Sequence, residues 1–252
     1  MIGADDHLVS LVAPHSMEAE QYRVLRHSVE QKRYESGLEV VAVTSAAPGD
    51  GKTLTAVNLA GALAQAPDSR VLLIDADLRC GAVHELLKLG SGLGLVDAIL
   101  DEALTLDDVV RPLPRFNLSV LPVGRTAVAP YELLKSLRLA RLLADARTRY
   151  QYVVVDTPPV ALLPDARLIE QWIDAVLVVV AAHKTPRRLV EAALDVMNPD
   201  KMLGIVWNRE RRSTRYYGYY AGYRHATNGH RDGWWSALTK RIGSRSRLSN
   251  AE

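Results

Sequence analysis

The stretch Val40-Val41-Ala42-Val43-Thr44-Ser45-Ala46-Ala47-Pro48-Gly49-Asp50-Gly51-Lys52-Thr53 decides how the rest of the chain is read. A short apolar run rich in valine reads as a strand buried on both faces. It ends in a turn where Gly49 and Gly51 let backbone N–H groups face an anion with no Cβ in the way. From Gly51 to Gln65 the apolar residues recur at helical spacing, so a helix starts there with its positive end aimed at the same anion. Lys52 is placed to reach the β- and γ-phosphates of a nucleotide, and the Thr53 hydroxyl to ligate Mg²⁺. The common phosphate-loop pattern has glycine where Ala46 stands. An incidental Gly-Lys-Thr in a tight strand-to-helix turn is the competing reading.

Working outward, the apolar runs Leu38–Val43, Val71–Ile74, Tyr152–Val155 and Ala175–Val180 read as buried strands, with Asn117–Leu121 and Lys201–Trp207 as two more. Between them Gly51–Gln65, Tyr131–Arg147, Pro164–Gln171 and Pro186–Met197 carry a helical period, as does Met17–Gln31 ahead of the first strand. Alternating strands and helices predict an α/β fold: a doubly wound, mostly parallel sheet flanked by helices, with ligands at the carboxyl ends of the strands. Two further strands end in carboxylates there, in Leu72-Leu73-Ile74-Asp75-Ala76-Asp77-Leu78-Arg79 and Val153-Val154-Val155-Asp156-Thr157-Pro158-Pro159. A lone strand-end aspartate is often a helix cap, but three such motifs in one sheet argue for one pocket that clamps a cation on phosphate oxygens. His183 and Lys184 follow another strand and read as a solvated loop at the pocket rim.

The chain has 252 residues, 48% of them hydrophobic, enough for a sizeable core in one α/β domain. Its single cysteine, Cys80, cannot form an internal disulfide, and the first thirty residues lack the pattern of a cleaved leader. No apolar run reaches the ~18 residues of a membrane span. These features predict a cytoplasmic protein. The net charge of +2 hides an asymmetry: residues 209–252 hold 10 Lys/Arg against 3 Asp/Glu, and residues 1–208 hold 21 against 26. Composition shifts at Asn208, which divides the chain into an N-terminal segment 1–37, a nucleotide-binding domain 38–208 and a basic, tyrosine-rich tail 209–252. The arginines of that tail come with no nucleic-acid reading motif, so no nucleic-acid partner is expected.

Gly49-Asp50-Gly51-Lys52-Thr53, Asp75-Ala76-Asp77-Leu78-Arg79 and Asp156-Thr157-Pro158-Pro159 together resemble the three motifs of the bacterial tyrosine kinases of capsule and exopolysaccharide export. The resemblance runs from about Glu18 to Asn208 and on into the tail. Related division-site and plasmid-partition ATPases carry a signature lysine early in the loop, where this chain has Ala47; a nucleotide-switch ATPase of that kind is the alternative reading. What the resemblance implies is a deviant Walker-type fold that binds ATP and Mg²⁺. Gly49, Asp50, Gly51, Lys52, Thr53 and Leu54 would form the phosphate loop, and Asn208 would contact adenine. It also implies Lys52 stabilising the transferred phosphoryl, Thr53, Asp77 and Asp156 at the metal, and Asp75 and Asp77 as metal-linked carboxylate and proton acceptor. Asp77 is preferred as the acceptor.

Five of the chain's 10 tyrosines, Tyr216, Tyr217, Tyr219, Tyr220 and Tyr223, crowd into residues 216–223, and the resemblance makes them acceptors for autophosphorylation. Tyr131, Tyr150 and Tyr152 fall within predicted elements and are poor acceptors. Glu20-Gln21-Tyr22-Arg23-Val24-Leu25-Arg26 fits the family's Glu-x-x-Arg-x-x-Arg helix, which implies that Glu20, Arg23 and Arg26 join subunits into a ring. Ordinary ion pairs within one helix are the alternative. The resemblance further implies a transmembrane polysaccharide co-polymerase as activating adaptor, holding the kinase at the inner face of the membrane. Trp234, Trp235, Leu238 and Ile242 among basic residues form a possible membrane-surface contact across residues 234–247.

Overall fold

The computed structural model describes residues 5–160 and 165–210. By contacts the chain divides into two units, 1–210 and 211–252, and the second lies wholly outside the described residues. With it lie the tyrosine cluster and the basic tryptophan segment.

Seven strands form one sheet: β1 (Val40–Ser45), β2 (Val71–Asp75), β3 (Arg111–Leu113), β4 (Leu118–Leu121), β5 (Tyr152–Asp156), β6 (Ala175–Ala181) and β7 (Met202–Asn208). Their order is β3-β4-β2-β5-β1-β6-β7, parallel throughout except for β3 against β4. The helices are α1 (Val9–Val12), α2 (Met17–Ser36), α3 (Lys52–Leu63), α4 (Val83–Leu86), α5 (Leu95–Leu100), α6 (Leu106–Val109), α7 (Pro130–Lys135), α8 (Leu137–Arg149), α9 (Asp165–Glu170) and α10 (Arg187–Asp195).

Every residue of β1, β2, β5 and β6 is buried, as near-continuous apolar runs require of a sheet covered on both faces. Side chains alternate between two cores. Val40, Ala42, Leu72, Ile74, Val153 and Val155 point into the one closed by α5 to α10. Val41, Val43, Val71, Leu73, Val154 and Leu177 point into the one closed by α1 to α4. Each fully buried valine or leucine contributes about 1.5–3 kcal/mol. Together they fix the strand ends against which the loops are held.

Several expected boundaries move for local reasons. The first strand begins at Val40 rather than Leu38, because the N–H groups of Glu39 and Val40 both donate to Asp174 Oδ2, at 2.9 and 2.8 Å. The single helix expected over Tyr131–Arg147 is two, α7 and α8. They meet at Ser136, whose hydroxyl accepts from Leu139 N at 3.3 Å and caps the second. Strand β3 was not expected; Pro112 lacks an N–H donor, which an edge strand tolerates. Helix α2 starts at Met17 as expected but runs to Ser36, five residues beyond Gln31, until Gly37 stops it at φ 72°. Among the described residues no helix is long and apolar enough to cross a membrane.

Candidate active site

The parallel order places β1 inside the sheet, with β5 on one side and β6 on the other. The loop leaving β1 therefore emerges where chain segments from both sides of the sheet converge, the usual ligand position in such folds. Gly49 and Gly51 have φ of 78° and 99°, conformations that glycine adopts without strain. Gly51 caps α3 with no side-chain bond and no acidic residue follows in the first turn, so the helix presents unpaired N–H groups and a positive end. Ala46, where the common pattern has glycine, keeps an ordinary backbone conformation and is fully buried against the core. A Cβ there does no harm, so the departure from the strict motif has no structural consequence.

Lys52, Asp77 and Asp156 come together. Lys52 Nζ lies 2.7 Å from Asp77 Oδ2, 3.4 Å from Asp156 Oδ2 and 3.1 Å from Thr53 Oγ1. The two carboxylates more than offset the effect of burial on the lysine, holding its pKa above the ordinary value. Asp77 Oδ1 accepts from Cys80 N at 3.0 Å, which fixes the carboxylate toward the lysine. Asp75 points elsewhere: its oxygens accept from the backbone N–H groups of Asp77 at 3.2 Å and Val83 at 3.1 Å. Gly81 packs so close that a Cβ would lie 2.7 Å from Asp75 Oδ2. Asp75 thus shapes the turn that carries Asp77. Burial, then the charge of Asp156, pushes Asp75 up to about 7, while burial lifts Asp156 to about 6 against the pull of Lys52.

Two further residues lock the loop. Asp50, fully buried, accepts from Ala47 N at 2.8 Å and from Thr185 Oγ1 at 2.6 Å, tying the phosphate loop to the turn after β6. The Asn208 side chain donates to Asp50 O at 2.7 Å, so it rests on the loop from the end of β7. The Leu54 side chain is partly buried and packs against the core beneath α3. The sequence pointed to no role for Thr185, and nothing in its neighbours distinguishes it from a loop threonine. Nor did it pair Arg79 with the buried Asp165, which accepts from Arg79 Nε at 2.5 Å.

The residues fit a magnesium nucleotide. Asp156 Oδ1 is buried without a hydrogen-bond partner, beside the Thr53 hydroxyl. Among the described residues no cluster of three or more His, Cys, Asp or Glu side chains forms a metal cage. Mg²⁺ characteristically takes one or two protein oxygens and completes its shell from phosphates and water, which is what such a pocket offers.

The predicted oligomerisation residues are engaged within the chain. Glu20 pairs with Arg23, and Arg26 pairs with Glu30 at 2.7 Å while its Nη1 donates to Ala62 O of α3 at 3.0 Å. The helix therefore braces the far end of the helix that follows the phosphate loop.

The AAA domain family model matches residues 38–190. The tyrosine-protein kinase YwqD of Bacillus subtilis is 33% identical over 217 residues, covering 85% of this chain and 91% of its own length. The succinoglycan biosynthesis transport protein ExoP of Rhizobium meliloti is 34% identical over 202 residues, covering 78% of this chain but 25% of its own length. Among solved structures, the kinase domain of the Escherichia coli tyrosine kinase ETK superposes with a TM-score of 0.73 at 27% identity, covering 82% of each chain. A ParA family ATPase from Chlorobium tepidum shares the fold at TM-score 0.55 and 24% identity, over 70% of this chain and 76% of its own. With three motifs converging on one lysine and similarity running through the whole domain, the chain belongs to the bacterial tyrosine-protein kinases.

Proposed function

We propose that this kinase transfers the γ-phosphoryl group of Mg·ATP to tyrosines of its own tail, Tyr216, Tyr217, Tyr219, Tyr220 and Tyr223, between subunits of an oligomer. The observation that carries the reading is the meeting of Lys52 with Asp77 and Asp156 beside the glycine turn. The loop N–H groups and the start of α3 hold the phosphates. When bound, Mg²⁺ would neutralise charge on the β- and γ-oxygens, held by Thr53 and the free oxygen of Asp156. Lys52 turns from its carboxylate partners to the transferring group, where its charge steadies the oxygens as negative charge builds. The tyrosine oxygen bonds to the γ-phosphorus, the bond from that phosphorus to the β–γ bridging oxygen breaks, and ADP departs with the electron pair. Asp77, released from Lys52, takes the phenolic proton; Asp75 holds the turn beneath it. Asn208, whose amide donates to Asp50 O at the loop, would contact adenine.

Assembly through Glu20, Arg23 and Arg26 would bring a neighbour's tail to this pocket. ExoP, of which this chain matches a quarter, supports a partner that supplies the remaining portion: a membrane co-polymerase in polysaccharide export, holding this kinase at the cytoplasmic face. The basic segment 234–247 is a second membrane contact. The nucleotide-switch alternative lacks support at Ala47, which has no charge to offer across a subunit interface.

Incubating the protein with γ-labelled ATP and Mg²⁺, with and without the adaptor's cytoplasmic segment, and mapping the label tests the reading. Label on Tyr216–Tyr223 that disappears in Lys52→Met supports it. Nucleotide hydrolysis with no label on protein would establish the switch instead.

A further inference from the structure

Lys184 reads in sequence as a solvated loop residue, yet the structure brings its ammonium to the phosphate loop: a Cβ built on Gly49 would lie 3.1 Å from Lys184 Nζ. The backbone that carries it is held in place. His183 takes a φ of 58°, the N–H groups of Lys184 and Thr185 donate to Ala181 O at 3.2 and 3.0 Å, and Thr185 Oγ1 both accepts from Ala181 N at 3.1 Å and donates to Asp50 at 2.6 Å. Among the described residues Lys184 has no ion pair, whereas Lys52 is paired with Asp77 and Asp156 and Arg79 with Asp165. An unpaired ammonium beside the uncapped, positive end of α3 sets like charge against like, an arrangement that an anion between them reverses.

The sheet order says which part of the anion this is. Asp77 and Asp156 approach the loop from β2 and β5, on one side of β1, which the proposed reaction makes the end of phosphoryl transfer. Lys184, Thr185 and Asn208 approach from β6 and β7, on the other side. We infer that Lys184 is a second phosphate-contacting cation, acting on the α- and β-phosphates at the nucleoside end of the loop, and that it sets nucleotide affinity rather than the rate of transfer. This rests on the nucleotide-binding reading above and assigns a division of labour within it: Lys52 serves the transferred group, Lys184 the part of the nucleotide that stays behind as ADP.

Titration of the full chain with a fluorescent N-methylanthraniloyl ADP, and with the corresponding ATP, tests this without any turnover. Lys184→Gln should weaken both nucleotides by about tenfold or more, since one charge-assisted contact is lost from each. Lys184→Arg should keep most of the affinity, and the thermal midpoint of the nucleotide-free protein should not move, because the side chain is exposed. In phosphorylation assays KM for ATP should rise while kcat stays within about twofold. Unchanged ADP affinity in Lys184→Gln overturns the inference, as does a loss confined to ATP or to kcat, which would move the contact to the γ-phosphate. Wild-type protein that binds neither nucleotide would overturn the nucleotide reading itself, and this inference with it.

Discussion

Asp75 and Asp156 stand directly opposite each other in register at the ends of the neighbouring parallel strands β2 and β5, and both are fully buried. Burial is the main obstacle to ionising either carboxylate, the charge of Asp156 adds to it at Asp75, and Lys52 compensates only in part. Their pKa values, about 7 and about 6, lie above the ~3.9 of an unfolded aspartate. From about pH 4 up to those values the folded state keeps protons that the unfolded state has released. Stability contributed by the pair is therefore fully present below pH 4 and lost as pH rises toward 7, by up to ~1.4 kcal/mol per pH unit for each group. Asp156→Asn removes one titration. In urea unfolding without nucleotide it should be more stable than wild type at pH 8, with the gap closing toward pH 4.5. A gap of equal size at every pH would refute this origin.

Asp50→Ala removes the buried acceptor for Ala47 N and Thr185 Oγ1. A loss of about 2–3 kcal/mol in unfolding free energy is expected for two stranded donors. Because the same side chain holds the β6 turn to the phosphate loop, ADP affinity should fall with stability. A variant with full affinity would show that the loop keeps its shape unaided.

Gly51→Ala faces two separate obstacles. The residue has φ 99°, and its new Cβ would come within 2.2 Å of Asn208 Nδ2. Chemical denaturation should show a loss of about 1–3 kcal/mol. Adding Asn208→Ala relieves the contact but not the backbone strain, so the double variant should regain only part of the loss. Full recovery would assign the whole effect to the contact.

Arg79→Ala strands Asp165, whose side chain has no exposed surface while the arginine is 39% exposed. That exposure lowers the value of the pair below that of a fully buried one, and about 1–2 kcal/mol is expected. Asp165→Asn added to Arg79→Ala should restore part of it by removing the buried charge. Thermal unfolding of the three variants against wild type decides the point; no gain in the double variant would mean that the pair is not the source.

Much of this was legible in the chain. Fully buried parallel strands are apolar along their whole length, so β1, β2, β5 and β6 stand out from their composition, and the phosphate loop is local because its backbone conformation depends on Gly49 and Gly51. Short elements were not legible. Arg111–Leu113 pairs only because β4 lies beside it, and the break at Ser136 follows from a cap within a continuous helical period.

By itself the sequence determined that a strand, a glycine turn with Lys52 and a helix follow one another, and that acidic motifs end two other strands. It also set out the tyrosine cluster of 216–223 and the basic charge of the tail. Only the tertiary structure decided that Asp77 rather than Asp75 faces Lys52, that Asp50 grips Thr185 across the loop, and that Lys184 lies over Gly49. The first set depends on bonds and spacings along the chain, which sequence records directly. The second depends on where packing of the two cores brings residues that lie on different strands and loops, and on which backbone donors each carboxylate finds once it is buried there.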